Sequence, residues 1–250
     1  MTDTALLALF IALVFAAAGF VKGVVGMGLP TFAMGLLSLA MLPAKAAAIL
    51  IVPSLVTNLW QLLAGPSFVT LFRRLAPMML TLCVGTGIGI GVLTGASSST
   101  ASAALGGILA LYGLISLVVR RFAIPAKAES WSSPLVGLLT GVITGATGVF
   151  VIPAVPYLGS LDLTKDELIQ ALGLSFTVST IALAAALAWT GHYKLTEAGN
   201  PLLAVLPALA GMYLGQRVRD KLHPEAFRRW FLAGLIVLGL YMLLRALLPA

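Results

Sequence analysis

Apolar residues in this chain run in long blocks, covering residues 4–21, 30–42, 46–64, 75–95, 101–119, 134–147, 149–160, 168–190, 200–216 and 230–248. Blocks rich in Leu, Ala and Gly predict helices, because the strands of a membrane barrel would alternate apolar and polar side chains over about ten residues. Three blocks, 30–42, 134–147 and 149–160, hold about 12 to 14 residues, roughly 20 Å as helix against a hydrocarbon core of about 30 Å. They predict half-helices. The one substantial polar stretch, RRFAIPAKAESWSSP at 120–134, divides the chain near its middle.

The two halves repeat one another. Gly19, Gly23 and Gly26 have the spacing G-x-x-x-G-x-x-G, and Gly141, Gly145 and Gly148 reproduce it 122 positions on. Each cluster is followed by a proline (Pro30, Pro153), a short apolar run, a turn with a lysine (Lys45, Lys165) and a long apolar block bearing Ser54 and Thr57 or Ser175 and Thr177. Gly85 and Gly89 are echoed by Gly211 and Gly215 at an offset of 126. A repeated half that begins with a Gly/Pro-interrupted apolar pair is the pattern of a secondary transporter. The expected organisation is a first transmembrane repeat at 1–119, a cytoplasmic linker at 120–134 and a second repeat at 135–250.

Composition sharpens this. With 60% hydrophobic residues, 9% charged residues and a mean hydropathy of +1.08, the chain has too few charges to cover a water-facing surface. A soluble enzyme or nucleic-acid-binding module is excluded, and the net charge of +7 is read as membrane topology. Cys83 stands alone, so neither a disulfide framework nor a cysteine metal site is expected. The N-terminal apolar run is read as part of the fold, since Asp3 occupies the place of a signal peptide's positive region.

Positive charges decide between two topologies. If each interrupted pair crossed once, Lys and Arg would divide evenly between the faces. If each pair enters and leaves on the same face, Lys165 and the cluster Arg217, Arg219, Lys221, Arg228 and Arg229 join Arg73, Arg74, Arg120, Arg121 and Lys127. Only Lys45, Lys194 and Arg245 remain opposite, with Lys22 inside the membrane. The positive-inside rule favours this second arrangement, which makes the repeats inverted, with both termini on the outer face. The expected fold is an all-α integral membrane protein of two inverted-topology repeats, each a Gly/Pro-interrupted helical hairpin followed by three transmembrane helices.

The segments GFVKGVVGMGLPTFAMGLLS at 19–38 and GVITGATGVFVIPAVPYLG at 141–159, with SLVTNLWQ at 54–61 and GHYKLT at 191–196, resemble the sulfite exporter TauE/SafE family of small bacterial anion transporters. The resemblance runs from the first helix to the last. It implies a multi-pass protein of the bacterial cytoplasmic membrane and sulfite or an organosulfonate as substrate. Where the family shows consecutive glycines before the proline, this chain has Gly26-Met27-Gly28 and Gly148-Val149-Phe150.

All eight acids fall in termini or loops, and Lys22 is the only basic residue within a glycine cluster. A lone intramembrane cation favours an anionic ligand; its alternative is to snorkel to headgroup level. Half-helices meeting near the midplane would add N–H groups and dipoles suited to an oxyanion. The predicted binding set is Lys22, Gly23, Gly26, Gly28, Thr31, Thr57, Asn58 and Gln61 from the first half. The second half supplies Thr144, Gly145, Thr147, Gly148, Gln170, Ser175 and Thr177. Gly85/Gly89 and Gly211/Gly215 are read as helix-packing positions instead. Trp60, Trp131, Trp189 and Trp230 are read as interfacial anchors.

The function expected is a permease for a small oxyanion working by alternating access, with no catalytic residue, metal or cofactor. Its partners are the anion and the lipid bilayer, without nucleic acid, and a homodimer is compatible with it. A channel-like pore would need a continuous wet path. An intramembrane enzyme finds no support, since His192 and His223 lie in loops and no H-E-x-x-H occurs.

Overall fold

The computed structural model describes residues 3–118, 124–193, 202–219, 221 and 223–248. Arg120, Arg121, Lys194, Glu197 and Asp220 of the charge argument lie outside the described residues. Among the described residues ten helices and no strand are formed: α1 (Asp3–Val25), α2 (Leu29–Leu37), α3 (Pro43–Leu63), α4 (Phe68–Gly95), α5 (Ser98–Val118), α6 (Ala126–Thr147), α7 (Ala154–Leu158), α8 (Lys165–Trp189), α9 (Leu202–Val218) and α10 (Pro224–Leu247). Six of them, α1, α3, α4, α5, α8 and α10, are long and apolar enough to cross a membrane. With Leu63, Leu80, Ile88 and Val237 exposed at two-thirds or more of their surface, the outside of the bundle suits lipid. This is a multi-pass membrane protein.

Two short blocks fold differently from the simple expectation. The block 134–147 is the second part of a 22-residue helix, because α6 already begins at Ala126 within the polar stretch. The block 149–160 holds a helix of five residues, preceded by non-helical backbone and capped by Pro153, too short to carry an N-terminal dipole site. The 30–42 block does form a half-helix: α2 has nine residues, with Pro30 in its first turn where a missing N–H costs nothing.

Contacts between helix ends order the bundle. Arg74, early in α4, forms a 2.7 Å ion pair with Glu129 in the first turn of α6. Ile124 N–H donates to Ser160 O over 3.1 Å, so the chain that leaves through α6 has returned to the same end after α7. Gln170, in the second turn of α8, accepts from Ser67 N–H and donates to Leu62 O and Gly65 O, drawing in the α3–α4 turn. Arg228 donates to Ser116 O and Ser99 Oγ donates to Ala246 O, which sets α5 and α10 side by side in opposite senses. One end of the bundle therefore gathers Arg73, Arg74, Lys127, Lys165, Arg217, Arg219, Lys221, Arg228 and Arg229. Among the described residues the other end holds only Lys45 and Arg245.

Glycine explains how the helices pair. A Cβ on Gly19 would lie 2.1 Å from Ala208 O and one on Gly23 2.3 Å from Met212 O, while Gly211 and Gly215 meet Ala16 O and Phe20 O at 2.0 and 2.3 Å. The same seam recurs between α6 and α4: Gly141 and Gly145 face Leu82 O and Thr86 O at 2.1 and 2.3 Å, and Gly85 and Gly89 face Leu138 O and Val142 O at 2.3 and 2.1 Å. Numbers rise together along both members of each pair, so α1 runs in the same sense as α9, and α6 in the same sense as α4. Each seam joins a helix of one half to a helix of the other, backbone against backbone, with room for Cα–H···O contacts. The main remaining pairs, α5 with α10 and α3 with α8, also cross between halves.

Candidate functional site

Lys22 lies in the last turn of α1, one turn before the break. Gly26 and Gly28 bring the chain round the break with φ of 84° and 101°, values that side chains rarely tolerate. Gly26 N–H still closes the α1 helix on Lys22 O at 2.7 Å. The lysine does not snorkel: it is 4% exposed, with its ammonium turned into the bundle against α3. Nζ donates to Asn58 Oδ1 and, over 3.3 Å, to Thr57 Oγ1. The ion pair of the described residues, Arg74 with Glu129, lies elsewhere at the basic end. An ammonium has three donors, and protein acceptors among the described residues take two.

Helix α3 presents this chemistry at helical spacing. Thr57, Asn58 and Gln61 share one inward face, all less than a tenth exposed. Thr57 Oγ1 also donates to Pro53 O over 2.9 Å, which turns its lone pairs toward Lys22. Asn58 accepts from Lys22 and donates through Nδ2 to Thr180 Oγ1 over 3.3 Å, linking the break of the first half to α8 of the second. Gln61 Nε2 donates to Gly26 O over 3.2 Å and to Ile169 O over 3.1 Å, so it fastens the break itself to α8. Its Oε1 is buried with no partner among the described residues.

The other residues of the predicted set separate into two groups. Gly23 and Gly145 sit in the glycine seams, where packing fully accounts for them. Gln170 spends its amide on the backbone of Leu62, Gly65 and Ser67, a staple between helices. Thr144 and Thr177 donate to the carbonyls of Thr140 and Gly173 one turn back, and Thr147 to Ile143 O while accepting from Val149 N–H. Gly148 ends α6 at a φ of 72°, beside Met34 of α2. The hydroxyls of Thr31 and Ser175 are buried without partners among the described residues, so no hydrogen bond joins them to Lys22. The geometry thus brings together Lys22, Thr57, Asn58 and Gln61 with the Gly26–Gly28 break. Thr180 is the member that sequence reasoning passed over, although it stands 122 positions after Asn58, the interval of the repeat.

An open groove of about 1030 Å³ lies between α5 and α10, lined by Leu117, His223, Glu225, Ala226, Arg229, Trp230 and Ala233. It includes none of the predicted residues and carries both signs of charge.

A family model described as "Sulfite exporter TauE/SafE" matches residues 11–242, nearly the whole chain. No curated protein and no solved structure matches it. The match covers both interrupted segments together with Lys22, Thr57, Asn58 and Gln61, and the chain belongs to the TauE/SafE sulfite exporter family.

Proposed function

We propose that this TauE/SafE protein moves a small oxyanion, sulfite or an organosulfonate, across the bacterial cytoplasmic membrane by alternating access, with Lys22 as the charged member of the anion site. The family is one of membrane anion exporters, and that much is inherited with membership. The carrying observation is the buried ammonium of Lys22, hydrogen-bonded only to neutral oxygens among the described residues. Holding an ion out of water costs several kcal/mol when no opposite charge accompanies it. An anion bound beside Nζ offsets that cost and takes the remaining donor, as a charge-assisted hydrogen bond. The first turn of α2, opened by Gly28 and Pro30, has no side-chain cap and adds its dipole to the same break.

The inverted reading of the two halves is supported by their pairing. Exchanging the halves turns the α1–α9 seam into the α6–α4 seam, and α1 and α6 approach their breaks from opposite ends of the bundle. The crowded basic end is assigned to the cytoplasm, which puts both termini outside. A channel-like pore is the weaker reading, because Lys22, Thr57 and Asn58 are closed off from solvent.

The test is exchange of radiolabelled anions by purified protein in liposomes. Sulfite or a short alkanesulfonate should show saturable flux above protein-free vesicles, and acetate should compete poorly. Absence of flux for every sulfur oxyanion offered, from correctly inserted protein, would remove the proposal.

A further inference from the structure

We infer that the bodies that move during transport are not the two sequence halves but two half-exchanged pairs, α1 with α9 and α4 with α6. The inference rests on the alternating-access reading above and goes beyond it by saying which interfaces stay fixed. In both seams a backbone carbonyl occupies the place of a glycine Cβ: eight glycines lie 2.0 to 2.3 Å from the opposing oxygen by that measure. Helices this close interlock at four successive points over about two turns, and sliding or tilting one against the other requires lifting it over the partner's backbone. Motion of the first half against the second would have to open both seams at once.

The contacts between the two pairs are of another kind. They run through α3 and α8, which are bonded through side chains, Asn58 to Thr180, Gln61 to Ile169 O and Gln170 to Leu62 O, with a single close backbone approach, Gly173 against Leu62. Single hydrogen bonds made by side chains can re-form with new partners at small cost, whereas a seam of four glycines holds its helices in one arrangement. Lys22 rides on α1, while Thr57 and Asn58 sit on α3. Movement of the α1–α9 pair relative to α3 therefore changes what the ammonium touches, which is how such a motion would bind and release an anion.

Four spin-label pairs in a Cys83→Ser background test this in nanodiscs by pulsed electron resonance, with and without saturating sulfite. The lipid-facing positions Leu13 on α1, Leu80 on α4, Leu139 on α6 and Leu206 on α9 carry the labels, leaving the seams untouched. The pairs across a seam, Leu13 with Leu206 and Leu80 with Leu139, should keep their distances. The pairs within one half, Leu13 with Leu80 and Leu139 with Leu206, should shift. If the distances within each half stay fixed and those across the seams shift, the half-exchanged bodies are wrong and alternating access survives. If all four stay fixed in protein that exchanges sulfite in liposomes, alternating access falls and this inference with it.

Discussion

Asn58 and Thr180 stand 122 residues apart in the chain and touch in space, the Asn58 amide donating to Thr180 Oγ1 over 3.3 Å. The interval is that between the two glycine clusters, so these are equivalent positions of the two halves. On the inverted-repeat reading proposed above, equivalent points meet only beside the axis that relates the halves. The polar centre therefore lies where α3 and α8 cross, and Lys22 reaches it from the first half through Asn58. In the second half Thr144 takes the equivalent place and bonds only backbone carbonyls, Thr140 O one turn back and Val149 O just past the helix end. On that reading a near-symmetric architecture encloses an asymmetric charge.

Asn58→Asp places a carboxylate against Lys22 at the same shape. An internal ion pair would satisfy the ammonium and repel an incoming anion. Membrane insertion should be normal and sulfite flux should fall by at least tenfold. Parent-like flux from this variant would mean that the anion does not meet Lys22.

The seams make paired predictions on one helix. Gly89→Ala on α4 would drive a Cβ to 2.1 Å from Val142 O, and overpacking of this kind costs about 1–3 kcal/mol. Gly87→Ala, two residues away, meets nothing within 4 Å and gains helix propensity of about 1 kcal/mol. Thermal unfolding in detergent should show the first variant less stable than the parent and the second equal or more stable. Equal effects would contradict the seam.

At the break, Gly26→Ala and Gly28→Ala both force an alanine into left-handed backbone, at roughly 1–2 kcal/mol each. Gly26→Ala points into open space, whereas at Gly28 the added carbon lies 3.0 Å from Phe231 Cζ. Transport should drop in both, more for Gly28→Ala. The opposite order would place the sensitivity in backbone strain alone.

Sidedness follows from the basic end. In a Cys83→Ser background, Lys127→Cys should react with an impermeant thiol reagent only from the cytoplasm and Lys45→Cys only from outside. Labelling of both from one face would overturn the assignment.

Much of this architecture is legible in the sequence because glycine spacing repeats when helix packing repeats. What spacing does not reveal is the task of each glycine. Gly23 and Gly26 are three positions apart, yet one holds a carbonyl of α9 at contact and the other turns the chain at a φ of 84°. Both need the absence of a side chain, so the letters are the same. The start of α6 was hidden by its polarity: Glu129 belongs to a helix whose first turn stands at the basic end, paired with Arg74 from 55 residues earlier. Lys22 was undecidable for a similar reason. Burial or snorkelling of its ammonium depends on Thr57 and Asn58, 35 and 36 residues on, which only the fold brings to it.

The role of Lys22 is tested most directly by sulfite binding to purified parent and Lys22→Gln protein, measured at one ionic strength. Glutamine keeps a hydrogen-bond donor, on a side chain one atom shorter, while removing the charge. Losing a charge-assisted hydrogen bond in a buried site costs on the order of 1.5–3 kcal/mol, so affinity should fall roughly ten- to a hundred-fold, with the remainder carried by the α2 N-terminus. Equal affinity of the two proteins would contradict the account and leave the anion site to neutral groups alone.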